Sequence, residues 1–133
     1  MSLPDLSQLV QINQISEYAE GMPVLIICYS TTNGRSITSV PHIIEIATKF
    51  PTLYTLVLSQ ENEAHVKQIV ENSTTLQKLN VSISTDNMVA TILQSLAVET
   101  TPHAFLYSTE QKLVWHGEIA DSQCMQYIAT IAE

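Results

Sequence analysis

Apolar positions cluster most densely at Val24, Leu25, Ile26, Ile27 and Cys28, which follow one another without a polar break and end at Tyr29. A run with no alternation suits a strand buried on both faces, in the middle of a parallel or mixed sheet. A polar stretch over 30–36 follows. Ile37, Val40, Ile43, Ile44, Ala47 and Phe50 then recur at helical spacing, so the next segment is an amphipathic helix closed by Pro51. Elsewhere the pattern predicts a first helix over 6–19, with Asp5 as cap and Gly21 as stop, and a second buried strand over 53–58. A helix is expected over 61–72 with Val66, Ile69 and Val70 inward, and an alternating, half-exposed strand over 79–84. Asp86 or Asn87 can cap a helix carrying Val89, Ile92, Leu93 and Leu96 on one side. Strands over 104–107 and 112–116 flank a polar connection over 108–111, a hairpin pattern. Asp121 or Ser122 opens a last helix with Cys124, Tyr127, Ile128 and Ile131 on one stripe.

The resulting order, αβαβαβαββα, defines an α/β fold. Helical crossovers give parallel pairs and the hairpin an antiparallel one, so the expected sheet is mixed with helices on both faces. At 133 residues the chain reads as a single domain, 1–133, with an N-terminal helix within 1–21 and a core over 22–133.

Charge narrows the partners. The formal net charge is −8 and only five residues are basic, a balance that argues against nucleic acid and against a membrane surface. No apolar run approaches the ~18 residues of a membrane span, and no basic leader precedes an apolar one. That favours the cytoplasm, although Met1-Ser2-Leu3 is also compatible with an expression leader standing in place of a targeting segment. Two cysteines, Cys28 and Cys124, make no disulfide framework, and both sit at apolar positions where cysteine behaves as a small hydrophobe. The four histidines, His42, His65, His103 and His116, have no zinc-ligand spacing, and no cofactor motif is present. His42 and His103 each follow a proline and are the two expected to approach one face. Trp115 reads as a strand-packing residue. Sequons at Asn72 and Asn80 are short patterns of little weight.

The stretch 24–50 resembles the active-site unit of the thioredoxin superfamily, in which a strand leads through an aromatic residue to a Cys-x-x-Cys turn and a helix interrupted by proline. Tyr29 stands at the aromatic position, Asn33-Gly34-Arg35-Ser36 where Cys-Gly-Pro-Cys would be, and Pro41 five residues after Ser36, as in the family pattern. Downstream, Thr101-Pro102 is similar to the family's cis-proline loop, and the segment 111–117, ending in Gly117, to its closing strand and glycine. The added helix and strand over 61–84 are what the redoxin branch inserts, the group that includes TlpA-like thiol oxidoreductases. The resemblance implies a thioredoxin-like fold over residues 22–133.

It also implies that both redox cysteines are missing. Dithiol exchange needs a thiolate at the helix start and a second thiol to resolve the mixed disulfide. Asn33 forms no thiolate, and Ser36 is a weak nucleophile without an evident base. Ile27 stands where the family's buried acid would be, so no catalytic residue is assigned. What remains is a groove formed by Asn33, Gly34, Arg35 and Ser36 with Thr101, Pro102 and His103, able to take an extended peptide or protein chain through backbone hydrogen bonds. The other reading of the loop is that it only preserves the fold. Arg35, the sole arginine, is either a small-anion site beside the free N–H groups of the helix start or a solvated loop residue. An oxidoreductase-related enzyme with residual or altered chemistry is the alternative function.

Overall fold

The computed structural model describes residues 10–29, 34–59, 63–83, 103–119 and 122–132. The elements are β1 (Val10–Asn13), β2 (Val24–Tyr29), α1 (Gly34–Lys49), β3 (Tyr54–Ser59), α2 (Glu63–Glu71), a 3-10 turn (Leu76–Lys78), β4 (Asn80–Ile83), β5 (His103–Tyr107), β6 (Leu113–Gly117) and α3 (Ser122–Ala132). The six strands form one sheet in the order β1-β4-β3-β2-β5-β6. Its centre is parallel, with Ile26 beside Leu56 and Val57 beside Val81. β5 is antiparallel to β2, β6 to β5, and β1 to β4. The arrangement is a mixed α/β thioredoxin-like fold.

β2 is central because it has no polar face to show. Leu25 and Ile27 point into one core, with Val40, Ile43 and Ile46 of α1, Val66 and Val70 of α2, and Cys124 and Ile128 of α3. Val24, Ile26 and Cys28 point into the other, with Tyr54, Leu56, Leu58, Phe105 and Tyr107. All three described helices therefore bury their stripes on one face of the sheet. The helix expected near 86–96 lies outside the described residues. Burying each such aliphatic side chain stabilises the fold by roughly 1.5–3 kcal/mol before chain entropy is subtracted.

Two expectations are corrected. The predicted helix over 6–19 is a strand followed by irregular chain through residue 23 wherever it is described. Val10 and Ile12 alternate with polar neighbours and pack on the helix-covered core from the sheet edge. The chain beyond is held by hydrogen bonds that no helix would leave available. Asn13 Nδ2 donates to the Gln77 and Leu79 carbonyls at 3.0 and 2.7 Å. The backbone N–H groups of Ile15 and Ser16 donate to Asn80 Oδ1 at 2.9 and 3.2 Å. Tyr18, assigned by spacing to a helix stripe, instead meets Tyr54 edge-on at 5.7 Å and accepts from Gln111 Nε2 at 2.8 Å.

The second correction is β4, expected to be half-exposed and in fact buried throughout. It lies between β3 and β1, so neither edge is free, and Asn80 is covered by the Ile15–Ser16 segment it holds. The Asn80 amide donates in turn to Ser16 Oγ and the Thr55 carbonyl, both at 3.0 Å. That use of the amide, 3% exposed, leaves the Asn80 sequon no acceptor group to offer.

Candidate functional site

The end of the sheet where β2 finishes and β5 begins holds one residue of the expected site, His103. Cys28, the penultimate residue of β2, lies opposite His103, the first of β5. Gly34 opens α1 five residues after Tyr29, so the helix start stands within about 17 Å of the strand end. Gly34, Arg35 and Ser36 belong to its first turn, which contains no acid. Pro41 lies inside α1, which continues to Lys49 with one ladder hydrogen bond fewer. Asn33, Thr101 and Pro102 lie outside the described residues.

His103 is brought to His116, not to His42. The hairpin puts Phe105 opposite His116 and Ala104 opposite Gly117, which makes His103 and His116 diagonal neighbours on one face. His103 Nε2 and His116 Nδ1 are 3.0 Å apart. Phe105 backs both rings, with centroids 5.0 and 6.1 Å away. Partial burial lowers the His103 pKa from its ordinary value, the nearby His116 lowers it further, and the Glu118 carboxylate acts the other way. His42 is an exposed residue of α1, whose buried stripe lies on the opposite face of the sheet. The pairing was legible only through hairpin register: with residues 108–111 as the turn, 103 and 116 fall on one side of adjacent strands.

The hairpin itself is set by a tight turn. Ser108 N–H donates to the Lys112 carbonyl at 2.8 Å and Gln111 N–H to the Ser108 carbonyl at 2.9 Å, with Gln111 at φ 65°. At the far end of β6, a Cβ on residue 117 would stand 2.7 Å from Trp115 Cζ2, so only glycine lets that indole lie along the strand. Trp115 packs on the helix-covered core and stacks on Tyr127 with centroids 6.4 Å apart.

Neither cysteine is placed for exchange. Cys28 and Cys124 are buried in separate cores on opposite sides of the sheet, and no disulfide joins them. Burial pushes the Cys28 thiol up to about 12, so it stays protonated at neutral pH. A shallow depression of about 310 Å³ on α3 is lined, among the described residues, by Gln123, Gln126, Tyr127 and Thr130, none of which is a carboxylate, histidine or thiol. Among the described residues no helix is long and apolar enough to cross a membrane.

No protein-family model matches the chain, and no curated protein matches it in sequence. Solved structures do match in fold. A thiol-disulfide isomerase from Corynebacterium glutamicum superposes with a TM-score of 0.78 over 98% of this chain and 96% of its own, at 11% identity. A thiol:disulfide interchange protein from a Bacteroides species gives a TM-score of 0.73 over 99% of this chain and 89% of its own, at 16% identity. The N-terminal domain of PilB from Neisseria gonorrhoeae gives 0.68 over 93% and 88%, at 19% identity. At such identities the likeness establishes the thioredoxin-like fold, shared with thiol-disulfide oxidoreductases, and carries no residue roles with it.

Proposed function

We propose that this is a thioredoxin-like protein without dithiol chemistry. In this reading the turn Asn33-Gly34-Arg35-Ser36 stands where the redox pair would be, and with Thr101, Pro102 and His103 it forms a groove for an extended peptide or protein segment. The observation that carries the first half is the position of the thiols. The only two cysteines are buried in different cores, and the sole one near the sheet end is held protonated. The second half is supported by the alignment of the α1 start and the β5 start at one sheet end, where backbone groups can pair with an added strand.

The test has two arms. In a dithiothreitol-driven insulin reduction assay the protein should leave the onset of turbidity where buffer alone puts it. Acceleration by wild type that disappears in the Cys28→Ser/Cys124→Ser double variant would return the protein to the oxidoreductases. For binding, fluorescence anisotropy against an array of extended peptides should find ligands that His103→Trp weakens by at least tenfold, about 1.4 kcal/mol. Ligands bound equally well by that variant would place the groove elsewhere.

A second reading concerns Arg35, which lies in the acid-free first turn of α1. An anion held there adds stability as its concentration exceeds its Kd, roughly 2.7 kcal/mol at a hundredfold excess. Phosphate should then raise the melting temperature of wild type and not of Arg35→Ala, and equal shifts in both would remove the site.

A further inference from the structure

Among the described residues, His103 and His116 are brought together as a pair of imidazole donors, and the peptide-binding reading gives a role only to the first of them. We propose that His103 Nε2 and His116 Nδ1 together chelate a divalent transition-metal ion of the kind that favours cis nitrogen ligands, Cu2+ foremost and Ni2+ after it. The separation of the donors carries the argument. With metal–nitrogen bonds of about 2.0 Å, donor atoms 3.0 Å apart subtend an angle of about 97° at the metal. That is nearer the roughly 90° cis angle of a square-planar or tetragonal centre, the geometry of Cu2+ and Ni2+ with nitrogen ligands, than the roughly 109° of a tetrahedron. A tetrahedral zinc site asks for roughly 3.3 Å between such donors. The two strands thus bring both donors within chelating reach of one ion, with rotation of the rings aiming the lone pairs at it in place of the present hydrogen bond.

The surroundings fit the same use. The donors belong to adjacent hydrogen-bonded strands, which fix their Cα positions, and Phe105 supports both rings from behind. His116 is exposed, so the site opens to solvent on one side. Metal binding needs only a tautomer shift in one ring, which moves the proton now shared between the two nitrogens to an outer nitrogen. Among the described residues no third histidine, cysteine or carboxylate stands in place with the pair. The remaining positions therefore belong to water or to an external ligand. Such a centre has open positions, and suits an ion that is exchanged or that meets an external ligand.

The test is a Cu2+ titration of the full chain, free of any histidine tag, in a non-coordinating buffer with glycine as competitor. Calorimetry gives affinity and electron paramagnetic resonance counts the nitrogens. The expected result is one equivalent bound with a two-nitrogen signature, and the same stoichiometry for the His42→Asn/His65→Asn variant. His116→Asn, at an exposed position that does not threaten folding, should weaken binding by more than the roughly 10–100-fold that loss of an outer-sphere partner costs. His103→Asn should do the same. Undiminished affinity in His116→Asn, loss of binding in the His42/His65 variant, or no saturable binding in wild type would each overturn the site. The outcome is independent of the peptide arrays, because His116 lies outside the proposed groove residues.

Discussion

Along β2, Leu25 and Ile27 face a core closed by three helices, whereas Val24, Ile26 and Cys28 face one built of strand side chains with Tyr18, Met22 and Leu113 at its margin. The helix-covered core is almost wholly aliphatic. The other holds Tyr54, Tyr107 and Cys28, with His103 and His116 at its rim beside Phe105. Cys28, Tyr54, Tyr107 and His103, whose ionisation burial displaces, all belong to that second face. The strand-built side thus carries ionisable groups within its packing, whereas the helix-covered side is packed almost wholly by side chains that do not titrate.

The comparison breaks hardest on the packing side. Ile43 is fully buried where α1 crosses the sheet, and its stripe is what holds the start of that helix at the candidate site. Ile43→Ala should cost about 2–5 kcal/mol, read from urea denaturation, with little change of that loss between pH 7 and 10. A loss below about 1 kcal/mol would mean that the helix face collapses around the gap, and that the aliphatic core is less rigid than its burial implies.

The other face should fail with alkali. Cys28 is held at about 12 in the folded protein against 9.0 ordinarily, so the unfolded chain releases its proton first as pH rises. The folded state then binds more protons than the unfolded one. Stability is therefore full below pH 9 and falls between 9 and 12, by at most about 1.4 kcal/mol per pH unit from this thiol. Tyr107, also raised to about 12, adds a fall that begins near pH 10. Urea midpoints measured from pH 8 to 11 should decline in wild type and decline less in Cys28→Ala, whatever the variant's absolute stability. Parallel curves would show that the thiol does not resist ionisation in the fold.

The same contrast explains what the sequence disclosed. Unbroken apolar runs and helical stripes placed β2, β3, α1, α2 and α3 nearly where they stand, because burial on the helix face demands those periods. The segment 6–19 misled because Val10 and Ile12 serve an edge strand and Tyr18 a different face, and a mixture of two uses blurs into weak helical spacing. β4 looked half-exposed because Asn80 and Ser82 are polar. Their burial depends on β1 and on a four-bond amide network that no local pattern announces. Of the site, the proximity of His103 to the end of β2 followed from the family resemblance. The partnership with His116 needed hairpin register, a relation between strands and not a spacing along one.

The smallest expected effect discriminates most finely between the two faces. The Tyr107 hydroxyl is buried with no hydrogen-bond partner, beside the Cys28 thiol whose charge would act on it. A buried polar atom without a partner costs the fold its lost hydration, so removing it need not destabilise, even though the ring around it packs tightly. Tyr107→Phe should change stability at pH 7 by between zero and about 1 kcal/mol in the favourable direction. It should also shed part of the decline above pH 10. Destabilisation by more than about 1 kcal/mol would instead reveal a bound water bridging the phenol to another buried group, and this strand-built core would then be wetter than its side chains alone suggest.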